Sequence, residues 1–349
     1  MLKLRRGVVR SLDPLEVEIE GERRRAWADE GLVGRCEQGD EVICNVAAAD
    51  LGLGSGGFDI VHVNLTRGLQ AGDPPEGVHV IKLNYSSLQY PVDPVELPVD
   101  APGRPARRMP VAVISLHGQL APLCWAAARE GALRVGFVQA AGGALPGALS
   151  RDVGELRRRD LLCDHISAGP AYGTEREAIS LPGAIHAAAE KLGWDAAVVG
   201  PGPGILGSES RYGHGGMAAL DASHAALALG LEPIVAPRMS AGDPRPRHLG
   251  ISHHTRSVLE LVLAPVTVAV PEPVAPLWPE GLEVSSEVAL ERISASGHRL
   301  ERVAVELDEY GGSGLPRRTM GRDLQEDPLF FASPLAAGAL LAARALGDR

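Results

Sequence analysis

Residues Val111-Ala112-Val113-Ile114-Ser115, followed at once by Leu116-His117-Gly118-Gln119-Leu120-Ala121-Pro122, decide how this chain is read. Four apolar residues and a serine in a row show no period-two alternation, which predicts a strand covered on both faces. The polar, glycine-bearing stretch after them predicts the loop at that strand's carboxyl end. The same pair of signatures recurs: apolar runs at 133–138, 164–167, 196–199, 232–236 and 266–270 alternate with Ala-rich segments of helical composition. Residues 109–349 are therefore expected to form an α/β, Rossmann-like domain, a doubly wound and mostly parallel sheet between helix layers.

Upstream of residue 109 the pattern has period two. Leu15, Val17 and Ile19 alternate with Glu16, Glu18 and Glu20, and further strands are expected at 41–46, 59–65 and 78–83. Several short strands with no credible long helix predict a small all-β, barrel-like domain over residues 1–108, closed by the Pro-rich stretch 91–110 as a linker. Downstream, 302–307 is expected to be a last strand, 311–314 a glycine-rich joint, and 334–346 an Ala/Leu helix that packs on the sheet.

Size and composition agree with two domains. A chain of 349 residues exceeds the roughly 250–300 residues over which one core keeps growing. The net charge of −10 carries no basic patch and aromatic residues make up only 4 %, which argues against nucleic acid as a partner. Cys36, Cys44, Cys124 and Cys163 lack C-x-x-C spacing and are too few to staple the chain, so reduced thiols and a cytoplasmic location are expected. The basic start, Met1 to Arg6, lacks the apolar centre of a signal peptide, and no run of about 18 apolar residues predicts a membrane span. Assembly into a homo-oligomer is compatible with the sequence and not specified by it.

In an open α/β sheet, ligands lie beyond the carboxyl ends of the strands. Glycine-bearing segments follow the expected strands at 115–122, 139–143, 169–175, 200–208 and 238–243, and such glycines let backbone approach a ligand. The most pointed segment is Gly250-Ile251-Ser252-His253-His254-Thr255, just before an apolar helix. It offers a hydroxyl cap, free backbone N–H groups and two imidazoles in one place. Three readings of the pair stand open: metal ligands together with His117 or His214, in a site suited to zinc or nickel; an acid/base pair beside an anion on the helix end; or one ring capping while the other packs. No H-E-x-x-H, C-x-x-C or carboxylate cluster accompanies them, so no metal is assigned.

The candidate catalytic residues are therefore His253, His254 and His117. The candidate ligand-binding residues are Gln119, Tyr172, Gly202, Gly204, Ser208, Arg238, Ser252 and Thr255. Thr255 and nearby amides would hold an anion, His254 or His253 would move a proton, and His117 with Gln119 would orient the substrate. His117, Tyr172, Gly204, Ser208, His253, His254 and Thr255 are expected to line one pocket. Gly202-x-Gly204-x-x-Gly207 has the dinucleotide spacing, but Pro203 lies inside it and the next helix is expected only near Gly215. With no G-x-x-x-x-G-K-[ST] either, no cofactor is assigned. No G-x-S-x-G supports a hydrolase triad.

Taken together, Leu116–Pro122, Tyr172-Gly173 with Glu177-Ala178, 202–207, Arg238-Met239-Ser240 with Asp243-Pro244-Arg245, 250–255 and Glu326-Asp327-Pro328-Leu329-Phe330-Phe331 make the chain resemble, along nearly its whole length, a family of bacterial proteins described only as a domain of unknown function. The resemblance implies no activity. The residues themselves point to an enzyme acting on a small anionic metabolite, phosphorylated ones included, with the reaction open among lyase, hydrolase, isomerase and transferase. The alternative is a metabolite-binding or regulatory module without catalysis.

Overall fold

The computed structural model describes residues 2–52, 57–70, 78 and 80–347. Contacts divide the chain into two compact units, Met1–Asp93 and Pro94–Arg349.

In the first unit, β1 (Leu4–Leu12), β2 (Leu15–Ile19), β3 (Glu22–Trp27), helix α1 (Glu30–Val33), β4 (Glu41–Asn45), helix α2 (Ala47–Asp50) and β5 (Asp59–Asn64) build a closed five-stranded barrel in the order β1-β2-β3-β5-β4. Closure leaves no free edge. The alternation read from the sequence is realised: Val17 and Ile19 point inward with Val9, Val42, Cys44 and Val61. Two strands, β1 and β3, were not expected. β3 is Glu-Arg-Arg-Arg-Ala-Trp, and no apolar pattern announces it; Glu20 and Gly21 instead turn the chain with positive φ at both positions, the geometry of a tight hairpin. Arg24 then reaches the buried Asp59 of β5 at 2.7 Å. A short hairpin, β6 (Val80–Lys82) with β7 (Tyr90–Val92), follows; it realises part of the strand expected at 78–83, of which residue 79 lies outside the described residues.

The second unit contains, in chain order, β8 (Val111–Ile114), α3 (Leu120–Glu130), β9 (Val135–Ala140), α4 (Arg151–Arg158), β10 (Asp164–Ala168), β11 (Arg176–Ala178), α5 (Leu181–Glu190), β12 (Ala196–Pro201), α6 (Ala218–Ala228), β13 (Pro233–Ala236), β14 (Met239–Ser240), β15 (Gly250–Ile251), α7 (His253–Leu261), β16 (Thr267–Glu272), α8 (Ser286–Ala295), β17 (Arg299–Ala304), α9 (Leu307–Gly311), β18 (Arg318–Thr319), β19 (Arg322–Asp323) and α10 (Pro328–Gly347). Eight strands form one all-parallel sheet in the order β11-β10-β9-β12-β8-β13-β16-β17. Along β8 the side chains part as the absence of alternation implied. Ala112 and Ile114 pack under α3, α4 and α10 on one face, while Val111 and Val113 pack under α5 and α6 on the other. Towards β16 that second face is covered by α7 and α8.

Three segments differ from expectation. The Pro-rich stretch, read as a linker, packs on the α/β unit from residue 94 onward: Val95 and Met109 are buried with α5 and α6, and Glu96 accepts the N–H groups of Ile179 and Ser180. These contacts are tertiary, and composition carries no trace of them. The last strand lies at Arg299–Ala304 instead of 302–307. Helix α10 starts six residues before Pro334, which had looked like a first-turn proline and lies inside the helix. α10 is long and apolar enough to cross a membrane, which the sequence reading did not allow for, yet 78 % of its most apolar window is buried inside the unit. Gly338 explains its close approach to α3, since a Cβ there would lie 2.1 Å from the Leu123 carbonyl.

Candidate functional site

The strand order fixes where loops diverge. From β8 the chain leaves toward β9 and from β13 toward β16, in opposite directions, which makes their carboxyl ends a topological switch point. The connection after β13 fills this place. β14 and β15 pair as a small antiparallel ribbon, Met239 opposite Ile251 and Ser240 opposite Gly250, which sets Arg238 and Ser252 side by side; the Ser252 N–H donates to the Arg238 carbonyl at 2.9 Å. Ser252 is the N-cap of α7, its hydroxyl accepting from the His254 N–H. His253, His254 and Thr255 form the helix's first turn, and the Thr255 hydroxyl accepts the Arg238 N–H at 2.8 Å.

Two further histidines join the pair. His214 comes from the loop after β12, where Gly207 bridges to it in a hairpin-like turn. His248 precedes β15. The His214 and His254 rings stack almost parallel with centroids 3.7 Å apart, and His253 stands edge-on to both. His248 lies 4.8 Å from His253 and 5.0 Å from His254, its Nδ1 held by the Ser252 hydroxyl at 2.7 Å. Neither ring nitrogen of His214 nor Nδ1 of His253 makes a hydrogen bond of good geometry, while the backbones of Arg211 and Arg247 lie close enough to favour the protonated rings.

Beside the rings runs a chain of ions. Arg238, 2 % exposed, donates to His254 Nδ1 at 3.1 Å and to Asp243 at 3.3 Å, while its Nε has no partner. Asp243 also takes Arg245 at 2.9 Å and Arg322 at 3.4 Å. Arg322 continues to Asp327, which accepts the Ser240 hydroxyl at 2.6 Å and the Ala241 N–H. Burial opposes the charge of Asp243, but hydrogen bonds and the charge of Arg245 outweigh it and hold the carboxyl well below its usual range. Burial, reinforced by the Arg238 charge, lowers His254 to about 2 and His248 to about 3. Burial and the neighbouring His214 lower His253 to about 4, and burial lowers His214 as well. Near neutral pH these rings are uncharged bases.

Other expected site residues lie elsewhere or do other work. His117 belongs to a second group: its Nε2 bonds the Ser150 hydroxyl at 2.7 Å, and its ring lies against Phe137, which stacks on His165. Gln119 is a clamp. Its oxygen accepts the Ser115 and Leu116 N–H groups and its nitrogen donates to the carbonyls of Ala236 and Pro237, tying the ends of β8 and β13 together. Tyr172 contributes its carbonyl to Gly147, and Ser208 is exposed and bonded within its own turn. The glycines have a structural explanation too. A Cβ on Gly142 would meet the Gly215 carbonyl at 2.4 Å, so that residue lets two loops touch, and one on Gly202 would meet the Gln139 side chain of β9 at 2.2 Å. No helix begins at Gly202–Gly207, and the next helical turn is Gly215–Met217.

The structure thus gathers Arg238, Ser252, His253, His254 and Thr255, and adds His248, Asp243, Arg322 and Asp327, which the sequence reading did not single out as site residues. A mostly apolar cavity of about 320 Å³ lies alongside, lined by Leu249, Ile251, Leu259, Trp278 and Ile293 among others and by none of the four clustered histidines.

Fold and cluster together define a two-unit protein, a closed β-barrel followed by a parallel α/β unit, with buried histidines and arginines at its strand ends. The chain belongs to the family described as protein of unknown function (DUF3866), whose model it matches over residues 25–338. No curated protein and no solved structure matches it.

Proposed function

We propose that this protein is a cytosolic enzyme acting on a small anionic metabolite, a carboxylate or a phosphate ester, held at the carboxyl ends of β12, β8 and β13. The observation that carries this reading is Arg238, a fully buried guanidinium with an unpaired Nε, set against four imidazoles. Three arginines, Arg238, Arg245 and Arg322, face two carboxylates, Asp243 and Asp327. The excess positive charge favours an anion, and a guanidinium fork suits its paired oxygens. The imidazoles beside it supply the reacting groups. Gln119 and Thr255 support the site by holding strand ends and the Arg238 backbone.

A thermal-shift panel of phosphorylated and carboxylated metabolites against the full chain tests this. A ligand at a hundredfold its Kd adds about 2.7 kcal/mol of stability. Arg238→Lys, which keeps the charge beside Asp243 but loses the fork, should weaken that ligand at least about tenfold. If no anion stabilises the wild type, or the variant binds equally well, the reading fails. Saturable binding with no product by mass spectrometry would leave a binding module in place of an enzyme.

A further inference from the structure

We propose that His214, His253 and His254 form a binding site for a divalent transition-metal ion of the zinc class. Each offers one ring nitrogen, and the three lie within 4.8 Å of one another. With Zn–N bonds of about 2.0–2.1 Å, the nitrogens of a tetrahedral site sit about 3.4 Å apart, so the rings need close by little more than an ångström. His214 supplies the second observation. It is 7 % exposed, and neither of its ring nitrogens has a hydrogen-bond partner; Nδ1 of His253 is in the same condition. Unsatisfied buried nitrogens are costly, and a shared ion would take up one nitrogen of each ring.

Space and donor chemistry agree. Gly216 lies against the group: a Cβ there would come within 3.0 Å of His254 Nδ1 and 3.1 Å of His214 Nδ1. Its φ is not positive, so clearance over those two atoms, and not backbone strain, accounts for the glycine. Three neutral imidazoles without a carboxylate in the group suit zinc, copper, nickel or iron and disfavour magnesium or calcium. Three protein donors leave a position open, as catalytic metal sites do. His253 is the partly exposed member and marks the approach from solvent. His248, fixed by Ser252, packs on two of the three rings and orients them from behind.

Arg238 sets a condition. A guanidinium only donates, so its contact with His254 Nδ1 leaves that nitrogen a lone pair and no proton. Where the ion takes this nitrogen, the guanidinium must release it, keeping Asp243 and freeing a second donor. Ion and guanidinium then share the two oxygens of one carboxylate or phosphate. This step deepens the proposed function and rests on its reading of Arg238; the metal site itself does not.

The test uses the full chain. Elemental analysis after purification should show a single zinc-class ion per chain, and chelator-treated protein titrated with zinc in a calorimeter should take up one ion saturably. His214→Ala and His253→Gln should each weaken zinc by more than about a hundredfold, beyond the loss typical of an outer-shell partner, while His186→Ala in α5 leaves it unchanged. The exposed His253 position keeps the test valid if His214→Ala folds poorly. Absence of saturable uptake by the wild type, or uptake unaltered in His253→Gln, overturns the site. Turnover of an anion by protein that takes up no zinc would sink the metal and spare the proposed enzyme. Tight zinc binding without any anion ligand would sink the enzyme and spare the metal.

Discussion

Two groups of histidines belong to the same α/β unit, and they are built on different principles. His117 and His165 sandwich Phe137, with one nitrogen of each ring bonded to a neutral partner, Ser150 and Gln139. That arrangement is packing: an aromatic stack in which one nitrogen of each ring is bonded and Nδ1 of His117 is left without a partner. His214, His248, His253 and His254 instead contact one another and an arginine, with no apolar ring between them and three nitrogens unbonded. Burial alone does not mark a site, since both groups are buried. What separates them is the company the rings keep: an apolar ring and neutral hydrogen-bond partners in the first group, other imidazoles and a buried guanidinium in the second.

The largest expected effect comes from the residue that binds the first group's strand to the second's. Gln119→Leu leaves the buried N–H groups of Ser115 and Leu116 without an acceptor. At about 1–3 kcal/mol for each orphaned donor, destabilisation of roughly 3 kcal/mol is expected, read as a lower urea midpoint with unchanged slope. A loss under 1 kcal/mol would mean Gln119 is not the clamp, and would reopen its assignment to substrate.

Next in size is His165→Ala. It removes a ring stacked on Phe137 at 5.1 Å and leaves the Gln139 amide oxygen without this partner, so a cost of roughly 2–3 kcal/mol is expected from chemical denaturation. The same pair carries a pH signature. Burial lowers His165 to about 3 and His117 to about 4 from the ordinary 6.5, with each other's charge and Arg157 adding to the effect on His165. Between those values the unfolded chain binds protons that the folded chain refuses, so stability falls as pH drops from 6.5 toward 4. His165→Gln should flatten that slope. An equally steep profile in the variant would remove His165 from the account.

The sequence made the frame legible because β8, β9, β12 and β13 are apolar on both faces, and the barrel's β2 alternates strictly. It missed β3, whose residues are charged and whose place is set by the Glu20-Gly21 turn and by Arg24 with Asp59. The site was half legible. His253 and His254 showed themselves as adjacent imidazoles after a capping serine, and Arg238 as a polar residue after a strand. His248 and Arg322 did not, because each reaches the cluster from a separate segment and only tertiary structure joins them; the spacing of His248, five and six residues before the pair, was the one available hint. Gly142 and Gly202 misled in the other direction. Glycine that lets backbone meet a ligand and glycine that lets two loops meet are the same letter, and the distinction rests on what a Cβ would strike.

The smallest expected change in stability, and the one that bears hardest on the comparison, is His253→Ala. This ring is partly exposed and bonds nothing through Nδ1, and removing it takes a base away from the neighbourhood of Arg238 and His214. Its removal should shift stability by no more than about 0.5 kcal/mol in either direction, as for a surface position. A small gain is the more telling sign, since residues held for function are often replaced at no cost to the fold. Differential scanning calorimetry of metal-free protein, with His165→Ala run beside it, makes the contrast quantitative. Should His253→Ala cost as much as His165→Ala, both groups are packing, and the division between the stacked group and the histidine–arginine group loses its meaning. Should it cost nothing while abolishing zinc uptake, the open nitrogens are where this protein meets its ligand.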